Sequence, residues 1–356
     1  MTDNTWPTVD TELIDDVTLY SAKLIIPVTG PVIIDGAVAI HGDRVVHVGK
    51  RRWVLKALKQ EMTAHGTIHE RHWDGVLTPG LINAHTHLQY SGMVQVGQGT
   101  YDRFRAWELA FNEVYAEAQK TQPWKQWAED GARQMVESGT TAAADIVTDL
   151  DAAGALASQG MHGIAYWEVM GWHNAEWMEK GRTELIRQLR RMNEEQLPNL
   201  GISPHAPYTL ESEPFVDLPD IARQLNMRLH IHLAETPLEA GTYPPVLTTY
   251  SAADWSDHDW ESYRQLKEVG KGASAIQFVD QLGSLGPDVH IAHGVWANGE
   301  DRRIPTSARR GRGLVPPIES HYQHRQRCTG ARIPRGRQSG KRGHRFALQH
   351  ADPRSA

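Results

Sequence analysis

Between residues 81 and 292 short apolar runs take turns with longer amphipathic ones. Leu81–Ala84, Thr141–Val147, Gly163–Val169, Leu200–Ser203, Arg228–Leu233 and Val289–Ala292 are brief and mostly apolar, as the buried strands of a parallel sheet are. Arg103–Gln119, Trp127–Ser138, Asp151–Gln159, Ala175–Glu195, Phe215–Leu225, Trp260–Val269 and Ala275–Leu282 have helical spacing or composition. In the first of these Trp107, Phe111, Val114 and Tyr115 share one face. Strands separated by helices predict repeated βα units, built either as a doubly wound sheet or as a (β/α)8 barrel. No Gly-x-Gly-x-x-Gly follows any strand, so a dinucleotide fold has no direct support. Residues 12–66 differ: Val17–Tyr20, Lys23–Ile26, Val38–Ile40 and Val45–Val48 are separated by Gly30, Gly36, Gly42 and Gly49. That rhythm predicts a small β-sandwich without helices, or else a β-rich edge of the main domain.

A barrel places its functional side chains where strands end. The stretch Pro79-Gly-Leu-Ile-Asn-Ala-His85-Thr-His87 ends an apolar run in two histidines, which a period of two sends to one side. With 19 His in 356 residues, one such pair carries little weight, and His230 and His232 form another. Recurrence carries more. The fourth strand runs into His205, the fifth into His232 and Glu235, and the sixth ends at His293. Four of six strands deliver a histidine at the same end, which points to a divalent metal. His230 is read as structural and directed to the other side of its strand, and His290 as packing. Gln89 and Trp107 follow the first strand, where polar and ring-stacking contacts to a substrate are expected, although helix packing suits Trp107 equally. The segment 241–260, with Tyr243, Tyr250 and Trp255, reads as a lid or a plain surface loop.

On Pro79-Gly-Leu-Ile-Asn-Ala-His-Thr-His, Ser203-Pro-His-Ala-Pro-Tyr, His232-Leu-Ala-Glu-Thr and Ala292-His-Gly-Val-Trp, the chain resembles the metal-dependent amidohydrolase superfamily. The similarity is to the branch of cytosine, guanine and S-adenosylhomocysteine deaminases and triazine chlorohydrolases, and runs from about residue 12 to about residue 300. It implies a (β/α)8 barrel with a small β-sandwich: residues 1–70 in the sandwich, 71–300 in barrel strands one to six. It implies that His85, His87 and His232 bind one zinc or ferrous ion, that Glu235 shuttles protons, that His293 orients the water or the tetrahedral intermediate, and that His205 contacts substrate. The implied reaction is hydrolytic deamination of an amino-substituted N-heterocycle. Ring dechlorination, cyclic-amide hydrolysis and an inactive metal-binding remnant are the alternatives. No lysine lies near the end of the fourth strand, so one metal is expected. Independently of the family, three neutral imidazoles leave a cation its full charge, which lowers the pKa of bound water towards about 7. A carboxylate three residues beyond a ligand can take and return that proton.

Charge and composition change the picture at the C-terminal end. Residues 1–300 hold 23 Lys+Arg against 40 Asp+Glu, a balance of −17, whereas residues 301–356 hold 14 against 3, or +11. An acidic body argues against nucleic acid as a partner of the main domain. The tail contains 13 Arg and 14 hydrophobic residues in 56, too few to build two more buried strands. The resemblance implies an aspartate ligand ending an eighth strand; Asp301 follows the sixth strand too closely to be that residue, and Asp352 lies within the tail. A reading frame slipped near residue 301 accounts for this better than a genuine basic arm. Translation of the other two frames tests it, since one of them should carry strand-like sequence with a Thr-Asp or Ser-Asp pair. No run is long enough to span a membrane, the N-terminus lacks a signal-peptide pattern, and the single Cys328 allows no intrachain disulfide. Together these predict a cytoplasmic protein with a small-molecule substrate; a homodimer is an assembly the sequence leaves open.

Overall fold

The computed structural model describes residues 13–101, 104–194, 197, 199–240 and 272–304. They fall into two compact units that divide between Gly80 and Leu81. The expected helix Trp260–Val269, the expected lid at 241–260 and the tail from residue 305 lie outside the described residues.

In the first unit β1 (Ile14–Ile25) pairs antiparallel with β2 (Ile33–His41), which pairs antiparallel with β3 (Arg44–Lys50). After β3 the chain turns into α1 (Arg51–Glu61) and returns as β4 (Met62–Leu77), parallel to β1. The sheet order is β3-β2-β1-β4. Val54 and Leu58, one helical turn apart, are buried against Val17, Leu19, Ala37 and Ala39 of the sheet. The sequence pattern predicted no helix here, and α1 corrects that. Its inward-facing residues were there to be read at a spacing of four, beneath a surface of Lys and Arg. The 16-residue β4 was also missed, because ladder pairing to β1 outweighs its polar, charged composition. Among the described residues this unit is one sheet backed by a helix; the second layer that a sandwich needs is not among them. The boundary expected at residue 70 falls inside β4.

The second unit holds a six-stranded sheet in the order β10-β9-β8-β7-β6-β5. Its strands are β5 (Leu81–Thr86), β6 (Thr140–Val147), β7 (His162–Val169), β8 (Leu200–Pro204), β9 (Arg228–Leu233) and β10 (Val289–His293), every adjacent pair parallel. All six match the expected strands to within two residues. The connections carry α2 (Val94–Gln98), α3 (Phe104–Thr121), α4 (Trp124–Glu137), α5 (Ala155–Ser158), α6 (Asn174–Glu176), α7 (Arg182–Glu194), α8 (Ser212–Gln224) and α9 (Ala275–Gln281). The expected helix at 151–159 is instead a 3-10 turn, Leu150–Ala152, followed by the four-residue α5. A π-turn, Trp177–Gly181, joins α6 to α7.

The core lies between strands and helices: Ile202, Leu229, Ile231 and Leu233 cluster with Leu185, Leu189, Phe215, Leu218 and Ile221. Gly163, at φ +138°, lets β7 approach β6, since a Cβ there would lie 2.0 Å from the Ala143 carbonyl oxygen. The two edge strands are less covered, and Leu81 and Ile82 on β5 are exposed. The sheet nevertheless curls. The ring of His85 on β5 lies 5.0 Å from that of His293 on β10, and His230 Nε2 on β9 is 3.3 Å from the Ala84 carbonyl of β5. Six strands thus bend into a nearly closed barrel, which is the one of the two arrangements left open by the strand–helix alternation that the resemblance implied.

Candidate metal centre

The histidines gather where the strands end. His85 lies in β5 and His87 one residue beyond it, leading into a 3-10 turn, Leu88–Tyr90. That turn is clamped from the neighbouring strand: the Leu88 N–H donates to Asp145 Oδ1 at 2.9 Å. The Gln89 amide also donates to the Thr148 hydroxyl at 2.6 Å and accepts from the Thr148 N–H at 2.9 Å. On the opposite wall, β9 presents His232 and then turns through Ala234, at φ 55°, to Glu235. The left-handed turn is held by the buried Glu239 carboxylate, which accepts N–H donors from Ala234, Glu235 and Thr236 at 3.1, 2.8 and 2.9 Å. His293 ends β10 at φ 67°. Positive φ at a residue other than glycine costs energy and tends to collect at functional sites.

His85, His87 and His232 each bring one ring nitrogen into a group whose donor atoms lie within 4.8 Å of one another. His232 Nε2 and His87 Nε2 are 3.4 Å apart. Two nitrogens each about 2.0–2.1 Å from a tetrahedral zinc are separated by about 3.4 Å, so the spacing is that of two ligands sharing an ion. His293 closes the ring, 5.1 Å from His232 by centroids. Glu235 faces the same space: the Tyr208 hydroxyl donates to its Oε2 at 2.7 Å, and its Oε1 lies 3.6 Å from His293 Nε2.

Burial sets the electrostatics. Desolvation, reinforced by neighbouring imidazoles, holds His85, His230 and His232 well below the usual histidine range and pulls His87 down to about 3. The rings are therefore neutral at pH 7, the state a metal ligand needs. His85 Nδ1, His87 Nδ1 and His232 Nδ1 are buried with no hydrogen-bond partner. Crowded neutral donors at ligand spacing suit a divalent cation with imidazole preference.

The structure brings His85, His87, His205, His232, Glu235 and His293 together. His205 follows β8, with its ring 4.6 Å from that of His232. The expectation for His230 is corrected: residues two apart on a strand share a face, and His230 lies buried inside, 5.0 Å from His85 and 4.4 Å from His290. Gln89 has both ends of its amide engaged by Thr148. Trp107 packs between Phe104 and Phe111, at 5.2 and 5.4 Å, which is the packing role weighed for it. Asp301, set aside from sequence, accepts from the Ser274 hydroxyl at 2.6 Å and the Asn298 N–H at 2.8 Å, and so braces the start of α9. Two residues were missed. Asp145 on β6 and Glu168 on β7 are buried carboxylates that desolvation pushes up to about 8. A charged residue late in an otherwise apolar strand is their signal in the sequence.

Residues 76–242 match the amidohydrolase family. They form an amidohydrolase domain. By sequence, the chain is 29% identical over 235 residues to a 5-methylthioadenosine/S-adenosylhomocysteine deaminase of Thermococcus kodakarensis, covering 64% of this chain and 49% of that protein. The chain spans about half the length of such relatives. The chain also has solved structural neighbours. A zinc-bound adenosine deaminase from Xanthomonas campestris aligns with TM-score 0.59 and 18% identity over 83% of this chain and 61% of its own. The atrazine chlorohydrolase of Arthrobacter aurescens, in complex with zinc, aligns with TM-score 0.61 and 17% identity over 82% and 64%. At such identities the neighbours establish the fold. Among the described residues no helix is long and apolar enough to cross a membrane.

Proposed function

We propose that this amidohydrolase domain is a divalent-metal-dependent hydrolase that removes an amino group from an N-heterocycle such as a nucleobase, nucleoside or triazine. The observation that carries the reading is the convergence of His85, His87 and His232 at ligand spacing with Glu235 facing the same space. His85, His87 and His232 would hold zinc, or ferrous iron. Once bound, the ion supplies Lewis acidity and lowers the pKa of a water molecule towards about 7.

The chain's own groups do the rest. Glu235 accepts the proton lost by the attacking water and returns it to the departing nitrogen, as a positioned general base and then acid. The Tyr208 hydroxyl fixes Oε2, which leaves Oε1 on the His293 side to exchange the proton. His293, at its left-handed position, orients the water and then the tetrahedral carbon's oxygen. His205 contacts the ring. An amine leaves as ammonia only when protonated, so a carboxylate shuttle favours deamination over loss of chloride. The deaminase relatives point the same way. The reading includes a cytoplasmic protein acting on a free small molecule. A metal-binding chain without turnover is the second reading, favoured by a three-histidine group that contains no carboxylate among the described residues. Metal analysis together with an ammonia-release screen over purines, pyrimidines, pterins and triazines separates them: bound metal without turnover on any substrate supports the second reading.

A further inference from the structure

Glu168 is a buried acid that the proposed chemistry does not use. It lies near the end of β7 with its side chain 4% exposed, and its Oε1 has no hydrogen-bond partner. An unpartnered buried carboxylate is costly unless something neutralises it. His232 Nδ1 lies 3.9 Å away, also buried and also without a hydrogen-bond partner. That gap is too long for a hydrogen bond; a cation about 2.0–2.2 Å from each atom fits within it at an angle wider than the tetrahedral one of the 3.4 Å His87–His232 pair. His205 stands on the third side. Its Nδ1 is 2.8 Å from the Thr209 hydroxyl, which fixes the ring, and its carbonyl accepts the His232 N–H at 2.8 Å. One donor atom each from Glu168, His205 and His232 lies within 4.8 Å of the other two.

We propose that Glu168, His205 and His232 form a second position for a first-row divalent cation, behind the His85–His87–His232 group. Two imidazoles and one glutamate are a competent zinc ligand set. His232 stands between the positions: its Nε2 faces His87 at 3.4 Å, and its Nδ1 faces Glu168. A neutral imidazole has one lone pair. The positions therefore exclude each other, and the chain holds one ion that has two places to sit. Because His205 is the residue assigned to contact substrate, an ion in the second position occupies the substrate contact. The inference shares His232 with the proposed function but stands on Glu168 and His205.

Cobalt(II) is the probe, read as equivalents bound after equilibrium dialysis of the full chain and by its visible absorption. Wild type and E168Q each bind one equivalent. H85N/H87N, stripped of the first group, still binds one equivalent with an altered spectrum, and H85N/H87N/E168Q binds none. The single variant H87N, which removes one imidazole only, is read alongside with and without E168Q in case the double variant does not fold. The inference is overturned if wild type binds cobalt while H87N and H85N/H87N bind none, or if E168Q leaves the binding of these variants unchanged. Absence of binding to wild type would overturn the proposed centre as well, so the two failures are distinguishable.

Discussion

The N-terminal sheet and the barrel use histidine in opposite ways. On the sheet, His47 lies 2.6 Å from Glu61, His41 meets the Asp16 carbonyl at 2.8 Å, and His72 is 3.1 Å from the Ser21 hydroxyl. Each has an oxygen partner near solvent. In the barrel, His85 lies within about a ring's width of His87, His230, His232 and His293, at 5.1, 5.0, 4.8 and 5.0 Å. The partners there are other imidazoles, and of these rings His230 and His232 are fully buried. The same side chain is a satisfied surface group in one unit and a stranded donor in the other. Packing that leaves nitrogens unpaired is tolerable in the folded state when something else completes them.

Removing the shared donor should have the largest effect. His232→Asn is expected to abolish metal binding and all turnover, since His232 belongs to both donor groups; the corresponding change on the sheet, His47→Asn, should leave both at wild-type levels. Glu235→Gln comes next. Turnover should fall by about 10²–10⁴-fold, the usual worth of a general acid–base group, with metal content unchanged. Loss of the ion in that variant would make Glu235 a ligand and not a shuttle.

Acid should separate the regions by stability. Burial pulls the His290 pKa from an ordinary 6.5 down to about 4. A group whose folded pKa is depressed contributes stability that is present above the unfolded value and lost as pH falls through the folded one. Metal-free barrel should therefore weaken as pH drops from about 6.5 towards 4, by about 3 kcal/mol for His290 alone. Urea unfolding followed across that range, with His290→Asn flattening the slope, is the measurement. The buried carboxylates act over the upper range with opposite sign. Glu168 sits at about 8 in the fold against 4.5 when exposed. Stability it contributes is complete below 4.5 and is lost as pH rises towards 8, an effect that Glu168→Gln should remove. The smallest effect is expected on the sheet. Arg51 grips Glu70 with two hydrogen bonds, at 2.6 and 2.5 Å, and with Ser21 holds its carboxyl down to about 2. Its contribution is present above 4.5 and fades as pH falls through about 2. The pair is partly exposed, so Glu70→Gln should cost no more than about 1 kcal/mol at neutral pH.

The sequence yielded the barrel more readily than the sheet for a physical reason. A strand buried on both faces must be apolar along its length, so β6, β7, β8 and β9 stand out. By contrast, β4 is mostly exposed and takes its shape from pairing with β1, and α1 shows only Val54 and Leu58 beneath its charges. At the site, the histidines were legible because strand ends are the barrel's working positions. Glu168 and Asp145 were not, since an acid in a strand declares its burial only once the neighbouring strands are in place. His230 was misassigned through the strand period, which puts it beside His232 in the interior.

The central claim is that the barrel histidines form a metal centre. Atomic emission analysis of the full chain, dialysed against zinc and then against metal-free buffer, tests it most directly. One equivalent of zinc in wild type and none in His232→Asn is the predicted result. Wild type that emerges without zinc, or His232→Asn that retains a full equivalent, would contradict it.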